Sequence, residues 1–587
     1  MKTQQASCFA PGARARARPK RAAALLALLL WALAAGAGAA SLPPVAAQNG
    51  MVVTSQHLAS AVGVEVLRRG GNAVDAAVAV GYALAVVFPA AGNIGGGGFM
   101  TIQMADGRSR FVDFREKAPL AATRDMYLGA DGKVIAGRST DSYLAVAVPG
   151  TVAGLELALQ RYGTQPRAAL LAPAIALARE GFVLEQGDVD LLDVAAEDLR
   201  KDPAAAAIFL DHGHPWRAGQ RLVQADLART LRRIGEQGPR GFYTGATAAA
   251  LVAASRAGGG ILAAADLDQY RAIERPPVEC DYRGYHIVSA PPPSSGGVIL
   301  CEMLNVLEGY PLKELGFRSA QAVHYQIEAM RHAYQDRNTY LGDPDFVDNP
   351  VARLLDKQYA AGIRAVIDPS HAGTGALRQE PPREGQNTTH YSIVDRAGNA
   401  VSVTYTLNGW FGARVVPPGT GVLLNNDMDD FTAKPGVANL YGLVQGVSNA
   451  IAPGKRPLSS MTPTIVTRDG HTVMVLGTPG GSRIITAVLH ALVNLIDYGM
   501  TVQEAVDAPR FHQQWTPEST SMEPFALSPD TQRLLTAMGH TLVRAPASNH
   551  LEAILVGGPA LDAPAVAGMR YYGANDPRRG IGLALGY

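Results

Sequence analysis

Two runs, residues 388–394 (Thr-Thr-His-Tyr-Ser-Ile-Val) and 400–406 (Ala-Val-Ser-Val-Thr-Tyr-Thr), flank the pentapeptide Asp395-Arg396-Ala397-Gly398-Asn399. The pattern predicts an antiparallel hairpin, because β-branched and aromatic residues fit a pleated surface and a short Gly-containing turn closes it. Folding about Ala397 sets Ile393 opposite Val401, Tyr391 opposite Val403 and Thr388 opposite Thr406. The hairpin also carries chemistry. A hydroxyl is a weak nucleophile at neutral pH and needs an adjacent base; a terminal α-amine, with a pKa of about 8, is suitably poised. A cut between Asn387 and Thr388 would unite the hydroxyl and the new α-amine of Thr388 in one catalytic unit, with Thr406 placed to orient the hydroxyl. The same hydroxyl can make the cut, by attack on the Asn387 carbonyl, an N-to-O acyl shift and hydrolysis of the ester. From the hairpin alone, a Thr-rich, half-exposed strand pair is the simpler reading, since threonine is common in strands.

The rest of the chain sets the frame. Arg14, Arg16, Arg18, Lys20 and Arg21 precede an uncharged, Leu-rich stretch over residues 22–40, the pattern of a secretory signal. Small residues place its cleavage between about residues 40 and 48, so residues 1–47 read as the signal and the protein as periplasmic or secreted. A retained membrane anchor is the alternative, because the stretch is long enough to span a bilayer. No later stretch is apolar enough, so no membrane contact is expected after signal removal. A formal net charge of +1 excludes a general attraction to nucleic acid or anionic lipid. Of three cysteines, Cys8 lies in the leader; Cys280 and Cys301 can pair in an oxidising compartment, but two core thiols is the favoured expectation.

Helical patterns are predicted over residues 57–69, 73–87 with Asn72 as cap, a segment after Ser319 with Val323, Ile327, Met330 and Tyr334 on one face, and residues 483–498. Strand patterns cluster at the hairpin and at residues 421–424, 464–468 and 471–476. Helical zones flanking a strand-rich zone suggest a layered α/β fold. The polar, Pro-rich residues 377–387 read as an accessible linker. Gly95 to Gly98 lack the Lys-Ser or Lys-Thr of a phosphate loop, and His212-Gly213-His214 reads as a polar turn rather than half a metal site.

The ordered blocks Gly70-Gly71-Asn72-Ala73-Val74-Asp75-Ala76-Ala77, Gly95-Gly96-Gly97-Gly98-Phe99-Met100, Asp113-Phe114-Arg115-Glu116-Lys117-Ala118-Pro119, Pro291-Pro292-Pro293-Ser294-Ser295-Gly296-Gly297, Thr388-Thr389-His390-Tyr391-Ser392, Asn425-Asn426-Asp427-Met428-Asp429-Asp430-Phe431, Arg456-Pro457-Leu458-Ser459-Ser460-Met461 and Gly477-Thr478-Pro479-Gly480-Gly481-Ser482-Arg483 resemble the γ-glutamyltranspeptidase (glutathione hydrolase) family. The resemblance covers nearly all of the chain after the leader. It implies the four-layer αββα sandwich of N-terminal-nucleophile hydrolases, built jointly by a heavy subunit (residues 48–387) and a light, catalytic subunit (residues 388–587) that remain paired after self-cleavage at Asn387–Thr388.

It also implies roles. Thr388 would be the nucleophile, and Gly480 and Gly481 would donate backbone N–H groups to the oxyanion. Arg115, Ser459 and Ser460 would hold the α-carboxylate of a γ-glutamyl group, and Asp430, Asn408 and residue 427 its α-ammonium. Tyr441 would lie in a lid over the pocket, residues 435–446, whose Gly and Pro content suits a mobile loop. The expected substrates are glutathione and other γ-glutamyl amides, with water, amino acids or dipeptides as acceptors, and no cofactor or metal. Asp427 departs from the Gln or Glu usual in the family; one methylene shorter, it predicts a weakened ammonium contact. Two rivals follow: an acylase of the same fold acting on glutaryl or cephalosporin side chains, and an uncut periplasmic protein that binds γ-glutamyl compounds without chemistry.

Overall fold

The structure, a computed structural model, describes residues 41–373, 387–547 and 549–587. Residues 1–40 of the expected signal (residues 1–47) and all of the expected linker except Asn387 lie outside the described residues. The hairpin forms in the predicted register: strands Thr389–Val394 and Ala400–Thr406 pair antiparallel, with Ile393 opposite Val401, Tyr391 opposite Val403 and Thr389 opposite Tyr405. Asp395 holds the turn, its carboxylate accepting from the N–H groups of Ala397 (2.9 Å) and Asn399 (3.0 Å), while Gly398 takes a φ of 95°.

The hairpin occupies the middle of a seven-stranded antiparallel sheet, in the order Leu583–Gly586, Met51–Thr54, Thr389–Val394, Ala400–Thr406, Gly97–Gln103, Ser109–Phe114 and Ile273–Arg275. A second antiparallel sheet of seven strands runs Val45–Ala47, Tyr571–Asn575, Glu552–Val556, His471–Gly477, Thr464–Arg468, Tyr285–Ser289 and Val278–Tyr282. Side chains alternate along each strand, and the two faces meet different layers. Tyr391, Ile393, Val401, Val403 and Tyr405 pack outward on helix Ala73–Val87. Helices Gly296–Leu307, Ala320–Tyr340 and Arg483–Ile496 cover the outer face of the second sheet through Val466, Met474, Leu476 and Leu555. Met51, Val53, Val394, Ala400, Ile465, Val475 and Ile554 fill the space between the sheets. The result is the expected αββα layering.

Burial corrects the half-exposed reading of the hairpin: every residue of both strands is buried. The alternate polar side chains face the second sheet rather than water, and bond to it. Ser402 Oγ donates to Leu476 O (3.1 Å) and Ser392 Oγ to Glu552 O (3.1 Å). The glycines at 96–98 serve close approach. A Cβ on Gly98 would stand 2.4 Å from the Cβ of Tyr405, and one on Gly96 2.0 Å from Thr406 O.

Helices His57–Arg68, Ala73–Val87, Ala320–Tyr340 and Arg483–Ile496 lie where the pattern predicts, and Ser319 Oγ caps the third by accepting from Ala322 N (3.2 Å). Residues 421–424 are not a strand: Gly421, with φ 67° and no room for a Cβ, which would lie 2.4 Å from Leu227 N, breaks the extended run. The two body cysteines are not free thiols. Cys280, on Val278–Tyr282, and Cys301, on the helix covering that strand, form a disulfide with Cα atoms 6.0 Å apart. Their spacing in sequence does not reveal that the helix crosses the strand. His212 lies in an exposed turn closed by Asp211 N donating to His214 O (2.7 Å). Among the described residues no helix is long and apolar enough to cross a membrane.

Candidate active site

The end of the hairpin sets Thr388 Oγ1 3.2 Å from Thr406 Oγ1. Asn408 N donates to Thr406 Oγ1 (2.8 Å), which leaves the Thr406 hydrogen free to point at Thr388. Thr388 has a φ of 121°, a conformation that costs a β-branched residue about 1–3 kcal/mol. That strain sits at the peptide bond singled out for cleavage, whose Asn387 is also buried.

Beyond strand His471–Gly477 the backbone turns through Gly480 (φ 129°) and Gly481 (φ 57°) into helix Arg483–Ile496. Only glycine fits either position: a Cβ on Gly480 would lie 2.2 Å from Asn549 Nδ2, and one on Gly481 2.3 Å from the Tyr441 ring. Their N–H groups stand just before a helix N-terminus, where unpaired donors and the helix dipole favour negative charge.

Arg115 follows strand Ser109–Phe114 and is fully buried. Its Nη1 donates to Asp427 Oδ1 (2.5 Å) and Glu116 Oε2 (3.1 Å), its Nη2 to Asp430 Oδ2, and its Nε to Pro457 O (3.2 Å). Burial works against this cation, but Asp427, Glu116 and Asp430 overcome it and hold Arg115 protonated. Burial raises the pKa values of the acids: Glu116 and Asp427 go up, and Asp430 is pushed up to about 7, against the opposing pull of Arg115. Asp427 turns one oxygen to Arg115, and its other oxygen has no hydrogen-bond partner among the described residues.

Ser459 is clamped by the Pro- and Ser-rich block at residues 291–297, with Ser459 N donating to Pro293 O and Ser295 N to Ser459 O, both at 2.8 Å, and Ser460 Oγ accepts from Arg337 Nη2 (3.0 Å). Residues 435–446 close over the site. Leu440 N donates to Asp429 Oδ2 (2.8 Å), and the buried Tyr441 OH donates to Asn408 O (2.8 Å).

These elements leave a cavity of about 20 Å³, room for about one water. Thr388, Thr406, Asn408, Arg115, Asp430, Tyr441, Ser459, Ser460 and Gly481 all line it, as does Arg337. Asp427 and Gly480 are absent from the lining. Sequence reasoning missed Arg337, although a signal exists: it continues the buried stripe Val323, Ile327, Met330, Tyr334 at helical spacing, where a charge has no structural reason to be.

One group away from this set could gather around a metal ion, His324, Glu328 and His540. Its atoms are already engaged: His324 Nδ1 and His540 Nε2 are 2.8 Å apart, His324 Nε2 donates to Asp368 O, and Glu328 pairs with Arg331.

The whole chain has counterparts. A glutathione hydrolase proenzyme of Pseudomonas sp. (strain A14) is 67% identical over 570 residues, covering 96% of this chain and 99% of the relative. The solved cephalosporin acylase of Bacillus halodurans superposes with a TM-score of 0.81 at 28% identity, covering 94% of this chain and 98% of that one. The γ-glutamyltranspeptidase structure of Helicobacter pylori matches with a TM-score of 0.54 at 44% identity, over 57% of this chain and 94% of that one. The family model described as gamma-glutamyltranspeptidase matches residues 59–585. With the threonine pair, Gly481 and the Arg115–Asp430 pair lining one cavity, the chain belongs to the gamma-glutamyltranspeptidase family.

Proposed function

We propose that the protein is a self-cleaving glutathione hydrolase and γ-glutamyltransferase with Thr388 as its nucleophile. The observation that carries the reading is the Thr388–Thr406 hydroxyl pair opening on a cavity shared with Arg115 and Asp430. In the precursor, Thr388 Oγ1 attacks the Asn387 carbonyl; the acyl group shifts from nitrogen to oxygen, which frees the Thr388 α-amine, and hydrolysis of the resulting ester releases the Asn387 carboxylate and restores the Thr388 hydroxyl. That amine then takes the hydroxyl proton as Oγ1 attacks the γ-amide carbonyl of the substrate. The N–H groups of Gly480 and Gly481 stabilise the oxyanion, the amine returns the proton to the leaving group, and a γ-glutamyl ester remains. Water or the amino group of an acceptor then releases the γ-glutamyl group.

A γ-glutamyl head is a zwitterion, and the pocket holds the matching charges against each other as the Arg115–Asp430 pair. Binding exchanges that contact for two: α-carboxylate to Arg115 with Ser459 and Ser460, and α-ammonium to Asp430 with Asn408. The small cavity requires Tyr441 to leave Asn408 O as substrate enters, which is lid behaviour. The two products of the cut would stay associated as a heavy–light heterodimer, because Gly97–Gln103 and Ala400–Thr406 are neighbouring strands of one sheet. Export by the N-terminal signal completes the reading. Val45–Ala47 pairs with Tyr571–Gly573, so signal cleavage near residue 40 retains an edge strand that a cut after Ala47 removes.

The test is mass and N-terminal sequence of the purified protein, together with turnover of γ-glutamyl-p-nitroanilide and its glutaryl analogue. Two chains, the smaller beginning Thr-Thr-His-Tyr-Ser, and preference for the γ-glutamyl compound are expected. Thr388→Ala should yield one uncut, inactive chain. Faster glutaryl turnover would favour the acylase reading, and an uncut wild-type chain the binding-protein reading.

A further inference from the structure

We infer that Arg337 is a positioning residue that gives the carboxylate end of the pocket its second positive charge, acting through the Ser460 hydroxyl; the inference rests on the cavity being a γ-glutamyl site. Arg337 comes from the buried face of helix Ala320–Tyr340 and is itself buried. Its Nε donates to Ser295 Oγ (2.9 Å), Nη1 to Asn338 Oδ1 (2.9 Å) and Gln445 Oε1 (3.2 Å), and Nη2 to Ser460 Oγ (3.0 Å). Each of these partners is neutral. Among the described residues no carboxylate forms an ion pair with it, whereas Arg115 in the same cavity meets three.

A cation taken out of water with no carboxylate in direct contact is unfavourable, and an anion arriving beside it relieves the cost. Burial pulls Arg337 down only to about 10, with Tyr334 and the more distant Asp430 opposing the fall, so it remains charged at neutral pH. Because Ser460 Oγ accepts from the guanidinium, the serine hydrogen is free to turn into the cavity, and the cation strengthens it as a donor. The group that suits such a donor is a carboxylate; a carboxamide of the same shape brings no charge. Arg337 also reaches the lid: Gln445, which accepts from it, donates through Nε2 to Asp430 O (3.1 Å), tying the two charged ends of the pocket together.

The experiment compares γ-glutamyl-p-nitroanilide with its α-carboxamide analogue, in wild type, Arg337→Gln and Arg337→Lys. Arg337→Gln should lower kcat/KM for the α-carboxylate substrate by about 100-fold, mostly in KM, and for the carboxamide by less than about threefold. Arg337→Lys, keeping the charge without the fork, should recover part of the loss. Equal losses on both substrates would overturn the proposal and leave Arg337 a purely structural group. If Arg337→Gln does not mature into two chains, Arg337→Lys is read on the same pair by the same criterion. A wild-type enzyme that turns over neither compound, or prefers a glutaryl amide, would remove the γ-glutamyl reading itself and this role for Arg337 with it.

Discussion

A carboxyl group must be ionised to balance the charge of an ammonium, and Asp430 is pushed up to about 7 by burial, with Asp427 and Asp429 adding to the rise and Arg115 opposing it. As pH falls through that value Asp430 gains a proton and loses its hold on the substrate. The kcat/KM for a γ-glutamyl amide should therefore decline on the acid side of about pH 7, and Asp430→Asn should lower it by about 100-fold and flatten that limb. An acid limb in kcat/KM that persists in Asp430→Asn would assign it to another group, the Thr388 α-amine being the first candidate. Gly481→Ala would drive a methyl into the Tyr441 ring at a positive φ; with Gly481 N–H as the proposed oxyanion donor, the change should cost about 10²–10³-fold in kcat. The residue types at these positions were legible because threonine, paired glycines and opposite charges each suit one task. Arg337 was not, since its meaning depends on Ser295 and Ser460 being brought to it from 42 and 123 residues away.

The hairpin shows how far periodicity reaches. Alternation and turn chemistry set its register to the residue, because a slip of one position would turn Tyr391, Ile393, Val401 and Val403 away from helix Ala73–Val87. The same alternation does not say what covers the polar face, and a second sheet covers it. Gly98, on the neighbouring strand, lies close against the hairpin: a Cβ there would stand 2.4 Å from Tyr405 Cβ. Gly98→Ala should destabilise the fold by about 1–3 kcal/mol, seen as a lower denaturation midpoint, because the new Cβ meets backbone at Thr404 and Tyr405 that cannot move without disturbing the Thr388–Thr406 pair. An unchanged midpoint with normal maturation would show that the strand pair can spread. Helix ends were equally readable where a local cap exists, as at Asn72 and Ser319, since a cap is an interaction between near neighbours.

For the whole molecule, the Cys280–Cys301 bridge closes a span of 21 residues. Constraint of a loop that size in the unfolded chain corresponds to about 3 kcal/mol, so Cys301→Ser should lower the melting temperature by several degrees while γ-glutamyl turnover survives at low temperature; scanning calorimetry with and without reductant checks it. An oxidised protein whose melting is indifferent to reductant would show that the bridge adds no stability. Residue order alone determined the layered class, the hairpin register, the main helices and the family whose motifs recur in sequence. Those features are local or repeat a known pattern, and short-range sterics and periodicity suffice to write them. Tertiary structure alone decided the disulfide, the burial of the hairpin between two sheets, the closure of Tyr441 over Gly481 and the charge balance of the pocket. In that pocket Arg115 meets carboxylates 312 and 315 residues away while Arg337 contacts none among the described residues, because pairings at such separation depend on where folded layers come to rest rather than on neighbours in the chain.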